Sequence, residues 1–183
     1  MSDPHHFEVT DVVHVGDFGF LGIERRTLQT PTGDTVERIV VTHPGAIAVV
    51  AMAGDNVVLI EQYRVAANKV IREIPAGKLD PTDTNLQEAA ERELLEETGY
   101  RAATWRKLTT MWTAVGFSNE QITIFLATDL SAGTRNPEGA EEHAAVIATV
   151  PFDEAARMVI SGEITDSKTI VGIMIADAHR RTP

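Results

Sequence analysis

Apolar and polar residues alternate along the first third of the chain in the manner of β-strands. The alternation predicts strands at residues 12–15, 38–42, 47–52 and 57–63, with a hairpin turn at Gly54-Asp55-Asn56 between the last two. Residues 45–53 and 57–60 are apolar on both alternations. Strands of that kind are buried on both faces, so we expect these two at the centre of a sheet.

A short strand, a polar loop and a helix follow. The strand is expected at residues 70–74, Pro75-Ala76-Gly77 closes it, and residues 78–83 form the loop. Thr84 and Gln87 have the spacing of a capping box, and residues 86, 89, 90 and 94 are apolar at helical spacing. Gly99 occupies the position that commonly ends a helix. The pattern predicts a helix that begins after Thr84 and ends before Gly99.

Strands and helices alternate in the second half of the chain. Strands are predicted at residues 106–112, 121–128 and 146–150, a helix from residue 153 to about 161, and a last helix after residue 166. Elements in this order predict an α+β fold in which helices cover both faces of a mixed sheet. A chain of 183 residues without repeats or Pro/Ser-rich linkers fits a single compact unit of this kind.

Charge and composition exclude several classes of function. Sixteen Lys and Arg against 27 Asp and Glu give a net charge of −11, which disfavours nucleic acid as a partner and suits a protein that collects divalent cations. The longest apolar run covers residues 46–53, and the first residues lack a signal-peptide pattern, so we expect no membrane association. Because the sequence has no cysteine, it is compatible with a reducing compartment, and we expect a cytoplasmic location.

Carboxylates concentrate in the predicted helix before Gly99. Glu93 and Glu97 are four residues apart and share one helical face, with Glu96 beside them. Like charges this close are destabilising unless a cation neutralises them, and oxygen ligands without Cys or His select Mg²⁺, Mn²⁺ or Ca²⁺ over Zn²⁺. The alternative is a solvated acidic face whose charges pair with Lys or Arg elsewhere.

The residues around these carboxylates resemble a known motif. Residues 92–100 read Arg-Glu-Leu-Leu-Glu-Glu-Thr-Gly-Tyr, which resembles the core of the Nudix box, Arg-Glu-apolar-x-Glu-Glu-x-Gly-apolar. Gly77 resembles the glycine that opens the box. The first Glu of the family pattern falls on Asp83 when counted from Gly77 and on Thr84 when counted from the helix, so the loop is one residue longer here.

The resemblance to Nudix hydrolases implies a fold and an assembly. The fold is an α/β/α sandwich with a mixed β-sheet and an N-terminal antiparallel strand region. We expect residues 1–45 to form that strand region and to pair in a homodimer, and residues 46–183 to form the hydrolase domain.

The resemblance also implies a metal site. Mg²⁺, or Mn²⁺ in its place, would be bound by Glu93, Glu96, Glu97 and the backbone carbonyl of Ala76. Members of this family hydrolyse diphosphates. In that reaction the metal withdraws charge from the two phosphates of the substrate and lowers the pKa of the attacking water. Arg92 is expected to orient a carboxylate. Its alternative is an ordinary i,i+4 pair with Glu96 or Glu88.

A general base is expected on a segment beyond the box. The acidic stretch at residues 138–143 has the composition for it. Glu142 is the predicted base and Glu141 the reserve, with Glu97 as a further catalytic residue through the metal. The alternative is a flexible acidic loop, which Gly133, Pro137 and Gly139 equally predict.

Outside the box the chain resembles the ADP-ribose and nucleoside-diphosphate-sugar branch of the family. The matching stretches are residues 60–64 (Ile-Glu-Gln-Tyr-Arg), 73–77 (Glu-Ile-Pro-Ala-Gly) and 116–120 (Gly-Phe-Ser-Asn-Glu). The resemblance implies cleavage of the diphosphate to a nucleoside monophosphate and a sugar phosphate, with Arg64, Arg38 and Glu73 binding substrate. Relatives that cleave ADP-ribose usually have Pro before the last stretch, where this chain has Ala114-Val115, so ADP-glucose and GDP-mannose are equally expected.

Two other functions stay open at this point. One is a Nudix hydrolase of nucleotide pools or coenzymes, acting on an oxidised nucleoside triphosphate, NADH or CoA. The other is a Nudix-like module that binds a nucleotide without cleaving it. Intact Glu93, Glu96 and Glu97 argue against the second, because such modules usually have eroded box carboxylates.

Overall fold

The computed structural model describes residues 6–137 and 139–181. The described residues divide into two compact units. The first comprises the residues up to Gly45 together with Trp112–Gln121, and the second comprises Ala46–Met111 and the residues from Ile122 onward.

The first unit is built on a three-stranded antiparallel sheet of β1 (Glu8–Phe18), β2 (Leu21–Gln29) and β3 (Thr35–Thr42). A tight turn joins β1 to β2, and Gly19 supplies the positive φ of 65° that this turn needs. Strand β2 was not predicted, because Glu24-Arg25-Arg26 interrupts the apolar alternation. Several apolar side chains of this unit are exposed: Val9, Val12, Val15, Phe18 and Ile39.

The second unit contains a mixed sheet, as predicted. Its strands are β4 (Ala46–Ala53), β5 (Asn56–Arg64), β6 (Lys69–Glu73), β7 (Ala76–Lys78), β8 (Tyr100–Trp112), β9 (Gln121–Ala132) and β10 (Val146–Pro151). The main order is β10-β5-β4-β9-β8, with β6 on β5 and β7 on β4. Strands β4 and β9 run parallel, whereas β5 is antiparallel to β4, β6 and β10.

Helices cover both faces of this sheet. They are α1 (Leu86–Thr98), α2 (Gly139–Ala144), α3 (Phe152–Ser161) and α4 (Ser167–Arg181). Val49 of β4 belongs to a core cluster with Leu94 of α1, while its neighbour Val50 belongs to a second cluster with Phe152 of α3 and Ile173 of α4. Strand β4 is therefore buried on both faces, which confirms the position expected from its doubly apolar sequence.

The start of α1 corrects one prediction. Asn85, not Thr84, is the N-cap, and its side chain accepts a hydrogen bond of 3.0 Å from the Gln87 N–H. The capping pattern falls one residue later because Asp83 closes a turn with Asp80, accepting its N–H at 2.8 Å. The chain is then still extended at Asn85, with φ −128° and ψ 114°.

The acidic stretch expected as a loop contains the short helix α2, while Glu138 lies outside the described residues. Within residues 6–137 and 139–181, no helix is long and apolar enough to cross a lipid bilayer.

Candidate active site

Helix α1 presents two carboxylates on its buried side. Ala89, Ala90 and Leu94 pack into the core and fix the rotation of the helix. Glu93 and Glu97 lie on the same stripe, at 9% and 4% relative exposure. Because residues four apart stack on one helical face, the hydrophobic packing of α1 also places this pair of charges.

The two carboxylates lie against the backbone at the start of β7. The Ala76 N–H donates to Glu97 Oε2 at 2.8 Å. The Glu93 carboxyl group is so close to Gly77 that a Cβ there would be 2.0 to 2.3 Å from its three atoms. Glycine at 77 is therefore required by the approach of Glu93, and this gives the first glycine of the box a physical role.

Burial disfavours the charged forms of both carboxylates. It raises the pKa of Glu93 to about 7, against the opposing effect of Arg92 and with added repulsion from Glu96 and Glu142. Burial likewise raises the pKa of Glu97 to about 8, only partly offset by the Ala76 N–H, with Glu93 and Glu142 adding repulsion. The ionised carboxylates of the site repel one another, and a bound cation would reduce this repulsion.

Arg92 lies on the adjacent side of α1 and contacts several carboxylates. Its Nη1 donates to Glu93 Oε1 at 2.8 Å and to Glu96 Oε2 at 3.1 Å, and its Nη2 donates to Asp83 Oδ2 at 3.1 Å. The i,i+4 pair with Glu96 is present, but the contacts to Glu93 and Asp83 go beyond it. Asp83, the residue six after Gly77, thus connects the loop to the helix through Arg92.

The predicted metal ligands are only partly gathered. Among the residues that the structure describes, no group of three or more His, Cys, Asp or Glu side chains is arranged to hold a metal. Glu96 is held by Arg92, and Glu93 and Glu97 form the buried pair. This pair fits a hard divalent cation, because its donors are oxygens, its charges repel and the backbone at Ala76 and Gly77 closes one side.

Helix α2 brings the predicted base near this pair. The charge of Glu142 raises the pKa of both Glu93 and Glu97. The Glu141 carboxylate instead lies beside Gly139, 3.8 Å from where a Cβ would be. Glu142 is therefore electrostatically coupled to the box carboxylates.

Arg64 and Glu73, at the ends of β5 and β6, form a bidentate ion pair. Arg64 Nε and Nη2 donate to the two Glu73 oxygens at 2.7 and 2.8 Å. The buried Lys168 of α4 also pairs with Glu73 and, at 3.1 Å, with Asp166. Burial works against ionisation of Glu73, but the hydrogen bond from Arg64 and the charge of Lys168 outweigh it and lower the pKa of Glu73.

This network borders a cleft of about 640 Å³ in the second unit. Arg64 is 43% exposed there, whereas Glu73 is 4% exposed. The charge of Glu97 is among the causes that raise the pKa of Arg64, after its hydrogen bond with Glu73. Arg64 therefore interacts electrostatically with both Glu73 and the box carboxylate Glu97.

Arg38 lies in the first unit, on β3. Its Nη1 donates to the Glu37 carbonyl at 2.8 Å, and the side chain borders a cleft of about 500 Å³. Arg26, Trp112 and Phe117 line the same cleft.

Three residues with partners near the site were not singled out by sequence reasoning. The sequence predicts only the start of a helix at Asp166 and Lys168, and a flexible loop around Arg135. A buried lysine gives no signal in a single sequence, because its partner Glu73 is far away along the chain. Asp166 did have a signal in the sequence, because aspartate is a preferred N-cap residue. Its Oδ2 accepts the Thr169 N–H at 3.0 Å.

Comparison with known proteins agrees with the motif. Residues 41–170 match the model of the NUDIX domain. The chain is 37% identical to the ADP-ribose pyrophosphatase of Mycobacterium tuberculosis over 177 residues, covering 95% of this chain and 84% of that protein. It is 36% identical to the ADP-ribose pyrophosphatase of Bacillus subtilis over 147 residues, covering 80% and 79%.

The fold agrees as well. A crystal structure described as an ADP compounds hydrolase superimposes with a TM-score of 0.84 at 20% identity, covering 97% of this chain and 96% of that one. At this identity the likeness shows the fold alone, which confirms the predicted α+β Nudix architecture. The family match spans most of the chain and includes the whole box. The chain therefore belongs to the Nudix family and is a Nudix diphosphatase.

Proposed function

We propose that this diphosphatase hydrolyses ADP-ribose or another nucleoside diphosphate sugar in a Mg²⁺-dependent reaction, giving a nucleoside monophosphate and a sugar phosphate. The observation that carries the proposal is the buried pair Glu93 and Glu97 against the backbone of Ala76 and Gly77. The names of the two bacterial relatives, both ADP-ribose pyrophosphatases, support the substrate class. Nucleotide substrates and the cysteine-free sequence are compatible with a cytoplasmic location, which stays a prediction.

The metal would be bound by Glu93, Glu96, Glu97 and the Ala76 carbonyl. Mg²⁺, or Mn²⁺ in its place, would supply neutralisation of the diphosphate charge and a lower pKa for the attacking water. Arg92 holds the Glu93 and Glu96 carboxylates in place from the side. Their orientation is thereby set before any ligand arrives.

Protein side chains would bind the substrate and move the proton. Glu73 fixes the plane of the Arg64 guanidinium, whose exposed edge binds the diphosphate through its remaining donors. Glu73 thus contributes to substrate binding through Arg64. Glu142 takes the proton from the attacking water, with Glu141 as the reserve base. Bond cleavage between the phosphates then leaves one phosphate on the nucleoside and one on the sugar.

A hydrolase of nucleotide pools or coenzymes is the alternative to a hydrolase of sugar nucleotides. The choice between them depends on what is cleaved. The first test is phosphate release from ADP-ribose, ADP-glucose, GDP-mannose, NADH and 8-oxo-dGTP, coupled to a phosphatase that acts only on the products. We expect cleavage of at least one sugar nucleotide with Mg²⁺ and none with EDTA. Preferential cleavage of NADH or 8-oxo-dGTP would support the alternative enzyme, and no cleavage of any of these compounds would contradict the proposed substrate class.

Glu97→Gln tests the metal site. The change removes an anionic ligand but keeps an oxygen that can accept the Ala76 N–H, so we expect kcat to fall by roughly 100-fold or more. The melting temperature should not fall, because a buried like charge is removed. Glu91→Gln, on the exposed face of the same helix, is the matched control and should leave kcat unchanged. Near-normal activity of Glu97→Gln would move the metal site elsewhere.

Arg64→Lys tests diphosphate binding. Lysine keeps the charge but cannot form the two-pronged pair with Glu73, so KM for the sugar nucleotide should rise about tenfold. Arg157→Lys, at an exposed arginine of α3, is the control. Equal KM values for both variants and the wild type would remove Arg64 from the binding site.

The first unit supports a homodimer as a further proposal. Its sheet exposes Val12, Val15 and Phe18, and apolar surface of this kind is commonly covered by a partner. In such a dimer Arg38 would contribute to the partner's substrate site. Light scattering should give the mass of a dimer at micromolar concentration. A monomer throughout that range would contradict both the assembly and the role of Arg38.

A further inference from the structure

Residues 133–137, which follow β9, cross the C-terminal end of α1. A helix leaves its last carbonyls without intrahelical partners. This segment binds two of them at the end of α1 and also the carbonyl of Gly99, the residue that follows the helix. The Asn136 N–H donates to the Glu96 carbonyl at 3.1 Å, Arg135 Nε to the Glu97 carbonyl at 2.6 Å, and the Gly133 N–H to the Gly99 carbonyl at 2.6 Å.

This close docking depends on glycine at two positions. Gly99 ends α1 in the left-handed region, with φ 75°, and a Cβ there would be 3.1 Å from the Arg135 backbone nitrogen. A Cβ at Gly133 would be 2.7 Å from Leu95 Cδ1. The segment that leads to Glu142 is thus fitted against the end of the box helix.

Arg135 joins this helix end to α2. While its Nε donates to the Glu97 carbonyl, its Nη2 donates to the Glu142 carbonyl at 2.5 Å. One planar guanidinium therefore fixes the backbone of a proposed metal ligand relative to the backbone of the proposed base. The coupling of the Glu142 charge to Glu93 and Glu97 agrees with that proximity.

We propose that Arg135 is a positioning residue that holds Glu142 in reach of the attacking water, a role that rests on the proposed hydrolytic function. Arg135 acts through the backbone of α2, where it binds the Glu142 carbonyl. A helix as short as α2, with six residues and no buried side chain, has little packing of its own to fix it. The guanidinium supplies that constraint. A lysine cannot, because its single ammonium lacks the fork that reaches two carbonyls in a fixed geometry.

A double-mutant cycle separates this role from simple capping of α1. Arg135→Ala and Arg135→Lys are combined with Glu142→Gln, and kcat and KM are measured for the best sugar nucleotide at saturating Mg²⁺. Arg135→Ala should lower kcat by about tenfold or more while KM changes by less than about threefold. Arg135→Lys should show most of the same loss. In the Glu142→Gln background the arginine change should lower kcat by less than about twofold, because a base that is absent cannot be misplaced. The exposed Arg157→Ala is the control and should leave kcat unchanged.

Two further readouts make the cycle decisive. Methylguanidine added to Arg135→Ala should restore part of kcat in the Glu142 background and none with Glu142→Gln. Amide hydrogen exchange should become faster at residues 139–145 in Arg135→Ala, with residues 89–95 of α1 unchanged. If Arg135→Ala does not fold, Arg135→Lys carries both the kinetic and the exchange comparison.

Additive losses in the two backgrounds, or an unchanged kcat in Arg135→Ala, would overturn the proposal. If the wild type cleaves none of the substrates, the proposed function fails on its own evidence, and the exchange result then decides whether Arg135 restrains α2. Unchanged exchange at residues 139–145 would show that it does not.

Discussion

The site depends on the burial of two like charges on one face of a helix. Glu93 and Glu97 share their stripe of α1 with Ala89, Ala90 and Leu94, so hydrophobic packing fixes their direction. Two buried carboxylates cost free energy unless cations or donors compensate them. In the protein itself this compensation comes from the Arg92 guanidinium and the Ala76 N–H. The raised pKa values of both carboxylates indicate that it is incomplete, which is what a site that must accept a cation requires.

The charge of a third buried carboxylate, Glu73, is compensated more fully than the charges of Glu93 and Glu97. Arg64 and Lys168 both pair with it, and its pKa is lowered. Lys168 reaches it because α4 lies very close to the sheet, where a Cβ at Gly172 would be 2.9 Å from Val50 Cγ2. Two neighbouring parts of one unit thus differ in their electrostatic balance. The fully compensated Glu73 gives a rigid support for Arg64, and the incompletely compensated pair Glu93 and Glu97 is where we propose that the metal binds.

The sequence predicted the parts of this arrangement that are local in the chain. The spacing of Glu93 and Glu97, the helix around them and the doubly buried strand β4 follow from periodicity, and Arg92 follows from its place in the box. The contacts of Lys168 with Glu73 and of Arg135 with the Glu97 carbonyl were not predictable, since these partners are distant in sequence and a lone basic residue is typical of a solvated surface. Strand β2 was missed for a different reason: its charged residues lie on a three-stranded sheet in which Gly22 is the one buried residue, so burial did not impose alternation. The N-cap is Asn85 and not Thr84, because a turn between Asp80 and Asp83 makes the helix begin one residue later. The sequence pattern gives no sign of this turn.

Glycine is required at the two box positions for different physical reasons, and in both cases a residue distant in sequence approaches it. Gly77 is glycine because the Glu93 carboxyl group occupies the space of a side chain. Gly99 combines a left-handed backbone with the approach of the segment that carries Arg135. The two glycines of this motif are therefore required by two separate packing contacts, one on each side of the carboxylates. The first brings strand β7 to the helix, and the second brings α2. Because the helix between them is rigid, the spacing of the box sets the distance between the backbone that we propose as a metal ligand and the segment that bears the proposed base.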